Sequence, residues 1–471
     1  MFKKISFYHY KRKNMKIGGK STFGLLTKGV FTFVLFPIFI VCCNQRETGE
    51  SVAQDEYQWP SVEELPNVQK LPDPLIMFNG DSVKSMEKWW CDRRPELISL
   101  FNHYMYGKPP AAPDNFYFSI DDVNRNFYDG KATRKLVTLH FGPDETPPVS
   151  LLLVIPNARI RPAPVFIGLN FAGNHTTMDN PTIPLTQAWV NNRYTGGEDN
   201  RAHDDQRGIR KSRWQFEKAI ERGYAVATMY AGELSPDTEG RFREGVHRGY
   251  FEEGQERPGR HEWHAIAAWA WGLQRGVDYL MQDSDIDNNG IIVIGHSRLG
   301  KAAILAGATD ERIDIVIPNQ AGAGGTSPAR ANVAIPQANF EGGTREKYAH
   351  KEFTVAKNNY WLPPIYKEFN DRVEKFPFDQ HSLIALVAPR PLLLTNATDD
   401  EWADPRGQFN ILVLATPVYH LNRVEGLETT IFPEENQLIG SRLGYFIRPG
   451  GHSMTDVEWE IWMEFSDKWL K

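Results

Sequence analysis

Ser297 lies in the run Gly295-His296-Ser297-Arg298-Leu299-Gly300, directly after an apolar stretch at 291–295 (IIVIG) and directly before a helical pattern rich in alanine. A serine at a strand-to-helix turn is exposed at the end of a sheet. The helix behind it supplies backbone N–H groups and the positive end of a dipole to an oxyanion. That is the chemistry of acyl transfer. The glycine after the serine arrives one position later than in the usual G-x-S-x-G pattern, because Leu299 stands at the second position and Gly300 at the third. The same serine would also serve as a plain helix N-cap. Arg298 and Lys301 follow it one and four residues on, close together on one helical turn, and two cations there suit an anionic substrate or an oxyanion.

A serine nucleophile needs a base. In the α/β-hydrolase order the acid and then the histidine follow the serine along the chain. His452 fits, in Pro449-Gly450-Gly451-His452-Ser453 between a strand-like run at 443–447 and the closing amphipathic helix at 456–470. His381 opens a helix, where a structural hydrogen bond is its expected role, and His420 is no better placed as a base. The acid belongs in the loop after the strand at 391–396, which reads Ala397-Thr398-Asp399-Asp400-Glu401-Trp402-Ala403-Asp404. Its task is to orient the imidazole and stabilise the imidazolium, so one carboxylate suffices. Spacing alone leaves Asp399, Asp400 and Glu401 open.

Several elements must position these residues. Runs at 135–141 (KLVTLHF) and 149–155 (VSLLLVI) read as an early antiparallel pair. Further strands are expected at 164–170, 224–230, 291–295, 314–318 and 391–396, with helices at 214–222, 263–281 and 299–308 between them. Short apolar runs alternating with helices predict a mostly parallel sheet covered on both faces, an α/β fold built as a three-layer sandwich.

The chain has 471 residues and a net charge of −6, so no basic field invites nucleic acid. At the N-terminus, scattered Lys and Arg precede an uncharged run at 29–41 (GVFTFVLFPIFIV), too short to span a bilayer comfortably. Cys42 and Cys43 follow it, leaving Cys91 by itself and no disulfide framework. The order resembles a lipoprotein signal, with Cys43 (or Cys42) as the lipidated residue. The expected organisation is a signal peptide at 1–43, a polar, Pro-rich linker at 44–74 and one domain at 75–471. The expected location is exported: periplasmic, or outer-membrane or cell-surface with membrane attachment through that lipid.

The segments 166–175 (FIGLNFAGNH), 265–273 (AIAAWAWGL), 295–301 (GHSRLGK), 379–391 (DQHSLIALVAPRP) and 402–407 (WADPRG), with the Gly451-His452 pair, resemble the glucuronoyl esterases of carbohydrate esterase family 15. The likeness runs from about Trp89 to the end. It implies an α/β-hydrolase fold and a metal-free, cofactor-free serine esterase. The implied substrates are esters between (4-O-methyl-)glucuronic acid on glucuronoxylan and lignin alcohols. It also implies Ser297 as nucleophile, His452 as general base, Arg298 at the oxyanion, Lys301 on sugar hydroxyls and Trp402 against the uronate. An acid two residues before that Trp, as in bacterial members, selects Asp400. Two positions depart from the family. Gln320 stands where fungal members carry a triad Glu and cannot partner an imidazolium, so the acid must come from the later loop. Ile335 stands where members usually place a sugar-contacting Glu, which keeps a different carbohydrate esterase, of acetyl esterase type, in view, and the altered acid site at Gln320 keeps a non-catalytic glycan-binding member in view.

Overall fold

The apolar runs alternate in destination. Leu151, Leu153 and Ile155 enter one buried cluster while Leu152 and Val154 enter a second, and Ile291 and Val293 are divided from Ile292 and Ile294 in the same way. Successive strand side chains point to opposite faces, so a strand apolar at every position must be covered on both sides. The computed structural model describes residues 57–159, 161–330 and 360–471.

Ten strands form one sheet: β1 Tyr117–Phe127, β2 Ala132–His140, β3 Val149–Pro156, β4 Ala163–Asn170, β5 Ala225–Tyr230, β6 Ile286–His296, β7 Ile315–Asn319, β8 Leu392–Ala397, β9 Ile439–Gly440 and β10 Leu443–Arg448. Their order is β1-β2-β3-β5-β4-β6-β7-β8-β10-β9. β1 to β3 pair antiparallel, with Leu136 opposite Leu152, and β3 pairs antiparallel with β5. From β5 through β4, β6, β7 and β8 to β10 every pairing is parallel. β1 was not expected from the sequence. It is an edge strand whose side chains are almost all exposed, so it carries no apolar alternation to read.

The helices that matter for the site are α1 Phe216–Glu221, α2 Ala265–Leu280, α3 Arg298–Thr309, α4 Gln380–Ala385, α5 Pro405–Leu421 and α6 Asp456–Leu470. α2 and α3 pack together on one face of the sheet, with Trp269 and Trp271 fully buried. On the other face Trp459 and Trp462 of α6 lie with Trp214, Phe166 and Phe216 in the second cluster. A three-layer α/β-hydrolase sandwich results, the fold class expected from the pattern of apolar runs.

The domain begins earlier than Leu75. Within the stretch expected to be a linker, Val62 and Leu65 are buried, Val68 N–H donates to the Glu374 carbonyl at 2.7 Å, and Arg93 Nε donates to the Pro74 carbonyl at 2.9 Å. His381, at the start of α4, bonds the Pro72 carbonyl through Nε2 at 2.8 Å, the structural part its position suggested. The polar, Pro-rich composition of this stretch hid a segment that binds through backbone groups and two aliphatic anchors. Among the described residues no helix is long and apolar enough to cross a membrane. The signal segment at 1–43 and Ile335 lie outside the described residues.

Candidate active site

β6 and β7 run side by side at the centre of the sheet, and α3 starts where β6 ends. Ser297 is the single residue between them and adopts φ 57° and ψ −127°. A non-glycine residue there costs on the order of 1–3 kcal/mol and persists only where its surroundings over-determine it. Three backbone bonds do so: Ser297 N–H donates to the Asn319 carbonyl on β7 at 2.9 Å, and the Ser297 carbonyl accepts from Gly300 at 2.9 Å and Lys301 at 3.2 Å. A side chain is excluded at one neighbour and crowded at another. A Cβ on Gly295 would lie 2.2 Å from the Leu299 carbonyl oxygen, and one on Gly300 would lie 3.0 Å from both Ala321 Cβ and the Gly295 carbonyl oxygen. Ser297 occupies the N-cap position of α3, yet its side chain makes no capping hydrogen bond. The hydroxyl is therefore not engaged as the plain cap that the sequence also allowed.

His452 stands on the loop between β10 and α6. Its Nδ1–H donates to Asp400 Oδ2 at 2.6 Å, and the Asp400 side chain is 4% exposed. Of the three carboxylates that spacing left open, Asp400 is the one brought to the imidazole. Asp399 is instead tied by its N–H to the Gly450 carbonyl, with its carboxylate out at Thr398, and Glu401 is exposed in the short turn Glu401–Ala403. With Nδ1 engaged by Asp400, Nε2 is the imidazole atom left for a serine proton. Ser297 and His452 line the same cavity, of about 620 Å³.

The base loop is held from beneath. Arg448 donates to the carbonyls of Pro449, Gly451 and Ser453 and pairs with Glu458 of α6, which is fully buried. Gln320, at the end of β7 with φ 49°, accepts from Ser453 N–H at 2.9 Å and is 1% exposed. The residue that departs from the fungal pattern thus anchors the chain beside His452. His296 packs its ring 4.5 Å from that of His452, and Asn319 Nδ2 donates to its Nδ1 at 3.1 Å. Burial first, and then the charges of His452, Arg213, Arg448 and Arg298, push the His296 pKa well below its ordinary value, so it stays neutral.

Arg298 lines the cavity and is clamped. Nη1 donates to Asp237 Oδ2 at 2.7 Å, and the guanidinium lies 4.4 Å over the Trp361 ring. Asp237 also accepts from Trp361 Nε1 at 3.0 Å, from Tyr194 OH at 3.4 Å and from Tyr360 OH. None of these partners was legible in the sequence: Asp237 is one acid among many in a loop after β5, far from the serine along the chain. Lys301 is buried, with its ammonium donating to the carbonyls of Ala321 and Ala323, and Trp402 is 49% exposed. Both also line the cavity. Among the described residues no group of three His, Cys, Asp or Glu could hold a metal ion.

A parallel sheet with a strained serine at the β6–α3 turn, and a histidine–carboxylate pair from the later loops, defines an α/β-hydrolase. Comparison with known proteins narrows this. Residues 257–422 match a family model described as glucuronyl esterase, fungi. The chain is 40% identical over 400 residues to Carbohydrate esterase MZ0003 from an unknown prokaryotic organism, spanning 84% of this chain and 89% of that one. It is 28% identical to a 4-O-methyl-glucuronoyl methylesterase of Phanerochaete carnosa, over 75% of this chain and 72% of the relative. Among solved structures it matches a glucuronoyl esterase from Solibacter usitatus with TM-score 0.76 and 36% identity, over 86% of this chain and all of that one. A promiscuous CE15 esterase from a marine bacterial metagenome matches with TM-score 0.75 and 38% identity, over 86% and 98%. The chain belongs to carbohydrate esterase family 15, the glucuronoyl esterases, and is a carboxylic ester hydrolase.

Proposed function

We propose that this chain hydrolyses esters of (4-O-methyl-)glucuronic acid on glucuronoxylan, the ester type of lignin–carbohydrate links, with Ser297, His452 and Asp400 as its triad. The observation that carries the reading is the 2.6 Å bond from His452 Nδ1 to a buried Asp400, in a cavity that Ser297 also lines. Membership of the family and the names of the relatives support the substrate class.

In this reading Ser297 Oγ attacks the ester carbonyl while His452 Nε2 takes its proton, and Asp400 holds the imidazole in the matching tautomer and stabilises the imidazolium. The negative charge that develops on the carbonyl oxygen is met by Arg298 and the first turn of α3. The intermediate collapses as His452 returns the proton to the departing alcohol, leaving a uronyl–Ser297 ester. Water, activated by the same imidazole, then releases the uronate. Lys301 is proposed to bind sugar hydroxyls and Trp402 to pack on the uronate ring.

Purified full-length chain is expected to hydrolyse methyl and benzyl esters of glucuronic acid and to release little acetate from acetylated xylan. The opposite profile would make it an acetyl esterase on the same scaffold, the reading that Ile335 keeps in view. We also propose that the chain is exported and anchored through a lipid on Cys43 (or Cys42). Cys43→Ala should then move it from the detergent phase to the aqueous phase of a detergent partition.

A further inference from the structure

Among the described residues five cations line the cavity, Arg193, Arg210, Arg213, Arg298 and Lys301, and no Asp or Glu does. Two of the five are accounted for. Arg298 is paired with Asp237, and the Lys301 ammonium is held by carbonyl oxygens. The other three come from the long excursion between β4 and β5, and among the described residues none forms an ion pair with a carboxylate. The Arg213 guanidinium makes no hydrogen bond or ion pair among the described residues, Arg193 lies 5.8 Å over the Tyr194 ring, and Arg210 donates only to the Tyr194 carbonyl.

An esterified uronic acid carries no charge at the carboxyl group that reacts, so a neutral ester offers these three arginines no anion to pair with. Arg210 and Arg213 are half-buried while Arg193 is exposed, and grouping guanidinium groups without a counter-charge at such a wall is unfavourable by itself. Burial and then the neighbouring Arg210 lower the Arg213 pKa, with Tyr194 and Glu458 opposing them only in part, and Arg213 lies close enough to act on His296 in turn. An anion seated there would relieve that repulsion and accept charge-assisted hydrogen bonds from a planar fork that suits a carboxylate.

Resting on the glucuronoyl ester reading, we propose that Arg193, Arg210 and Arg213 form a carboxylate subsite beside the ester-cleaving centre. Its ligand is a free carboxylate, either a second acid group on the same substrate or the uronate just released. The first source would direct the enzyme to esters within an acidic polysaccharide. The second would make released uronate a product inhibitor.

The test uses the full chain and Arg213→Gln, with Arg213→Lys as the charge-retaining control, and circular dichroism to confirm folding. One arm compares kcat/KM on a neutral methyl glucuronoside methyl ester with that on the mono-methyl ester of a glucuronic acid disaccharide, which keeps one free carboxylate. The wild-type chain should prefer the charged ester by about tenfold at low salt, the size of one partly screened charge-assisted bond. Arg213→Gln should cut that ratio at least about fivefold and Arg213→Lys much less, with 0.5 M salt acting like the Gln variant. The other arm measures binding of free glucuronate to chains that also carry Ser297→Ala, so it does not depend on turnover. If released uronate is the occupant, Kd rises about fivefold in Arg213→Gln and the ester ratio stays near one. Ratio and Kd both within about twofold of wild type would overturn the subsite. Failure of every uronate ester to react, with glucuronate binding still dependent on Arg213, would sink the ester reading and leave the subsite standing.

Discussion

Replacing Asp237 by Asn would remove the charge partner of Arg298 without removing its volume. The two side chains are 17% and 11% exposed, so the pair is largely shielded from water. Breaking a buried ion pair from one side costs about 3–5 kcal/mol, because the remaining charge is left uncompensated. The amide still offers an acceptor to Trp361 and the two tyrosines, and Arg298 keeps its ring contact at 4.4 Å, so about 2 kcal/mol of lost stability is expected. The catalytic effect follows from what Arg298 does. Loss of one oxyanion donor costs about 10²–10³ in kcat, and a mispositioned donor retains part of that. Asp237→Asn should therefore lower kcat on a methyl glucuronate ester by about 10- to 100-fold while KM moves less than about threefold. Arg298→Ala should lower kcat by the full factor. The double variant should be no worse than Arg298→Ala alone, because Asp237 acts through the arginine. Steady-state kinetics on the four proteins, with thermal melts alongside, decide the matter. A variant that loses stability but keeps kcat, or a double variant whose losses simply add, would show that Asp237 only braces the loop.

Asp400→Asn should leave the fold intact and reduce kcat by about 10³–10⁴, since an amide stabilises the wrong imidazole tautomer. Asp399→Asn, whose carboxylate faces away, should change it less than about threefold; equal losses in the two variants would move the acid away from Asp400. Stability should fall as pH drops below about 6.5. His175, His247, His264, His296 and His381 are all buried, and burial lowers every one of their pKa values, to about 4 for His175 and His264 and about 3 for His247. The unfolded chain takes up protons on these groups that the folded chain refuses, so each contributes a loss of about 1.4 kcal/mol per pH unit between its two pKa values. Asp314, raised by burial to about 6, and Glu233, also raised by burial, act in the opposite sense but are outnumbered. Melting temperatures at pH 7 and pH 5 should differ by several degrees in favour of pH 7; equal values would refute the reasoning.

The parallel core was legible because β4 to β8 are short apolar runs that both faces of the sheet must cover. Ser297 and His452 were legible because strand-to-helix turn and loop-before-last-helix are local patterns with a chemical meaning. Asp400 was only narrowed to three neighbouring carboxylates by spacing, and its selection came from family resemblance. The rest of the site is made of contacts between distant segments. Arg298 meets Asp237 across 61 positions and Ser453 meets Gln320 across 133, and no periodicity records such pairs. β1 escaped notice because an edge strand facing water needs no apolar side chains. The stretch before Leu75 read as a linker because its attachment is made largely by backbone groups, which the sequence does not display.

Ser297 is proposed as the nucleophile of a uronyl transfer. Intact mass measurement of the wild-type chain and Ser297→Ala after treatment with a fluorophosphonate, paired with turnover of methyl glucuronate ester, tests it most directly. One phosphonyl adduct on Ser297 is expected, with complete loss of turnover on labelling, and neither adduct nor turnover in Ser297→Ala. An adduct elsewhere, or ester hydrolysis that persists in Ser297→Ala, would contradict it.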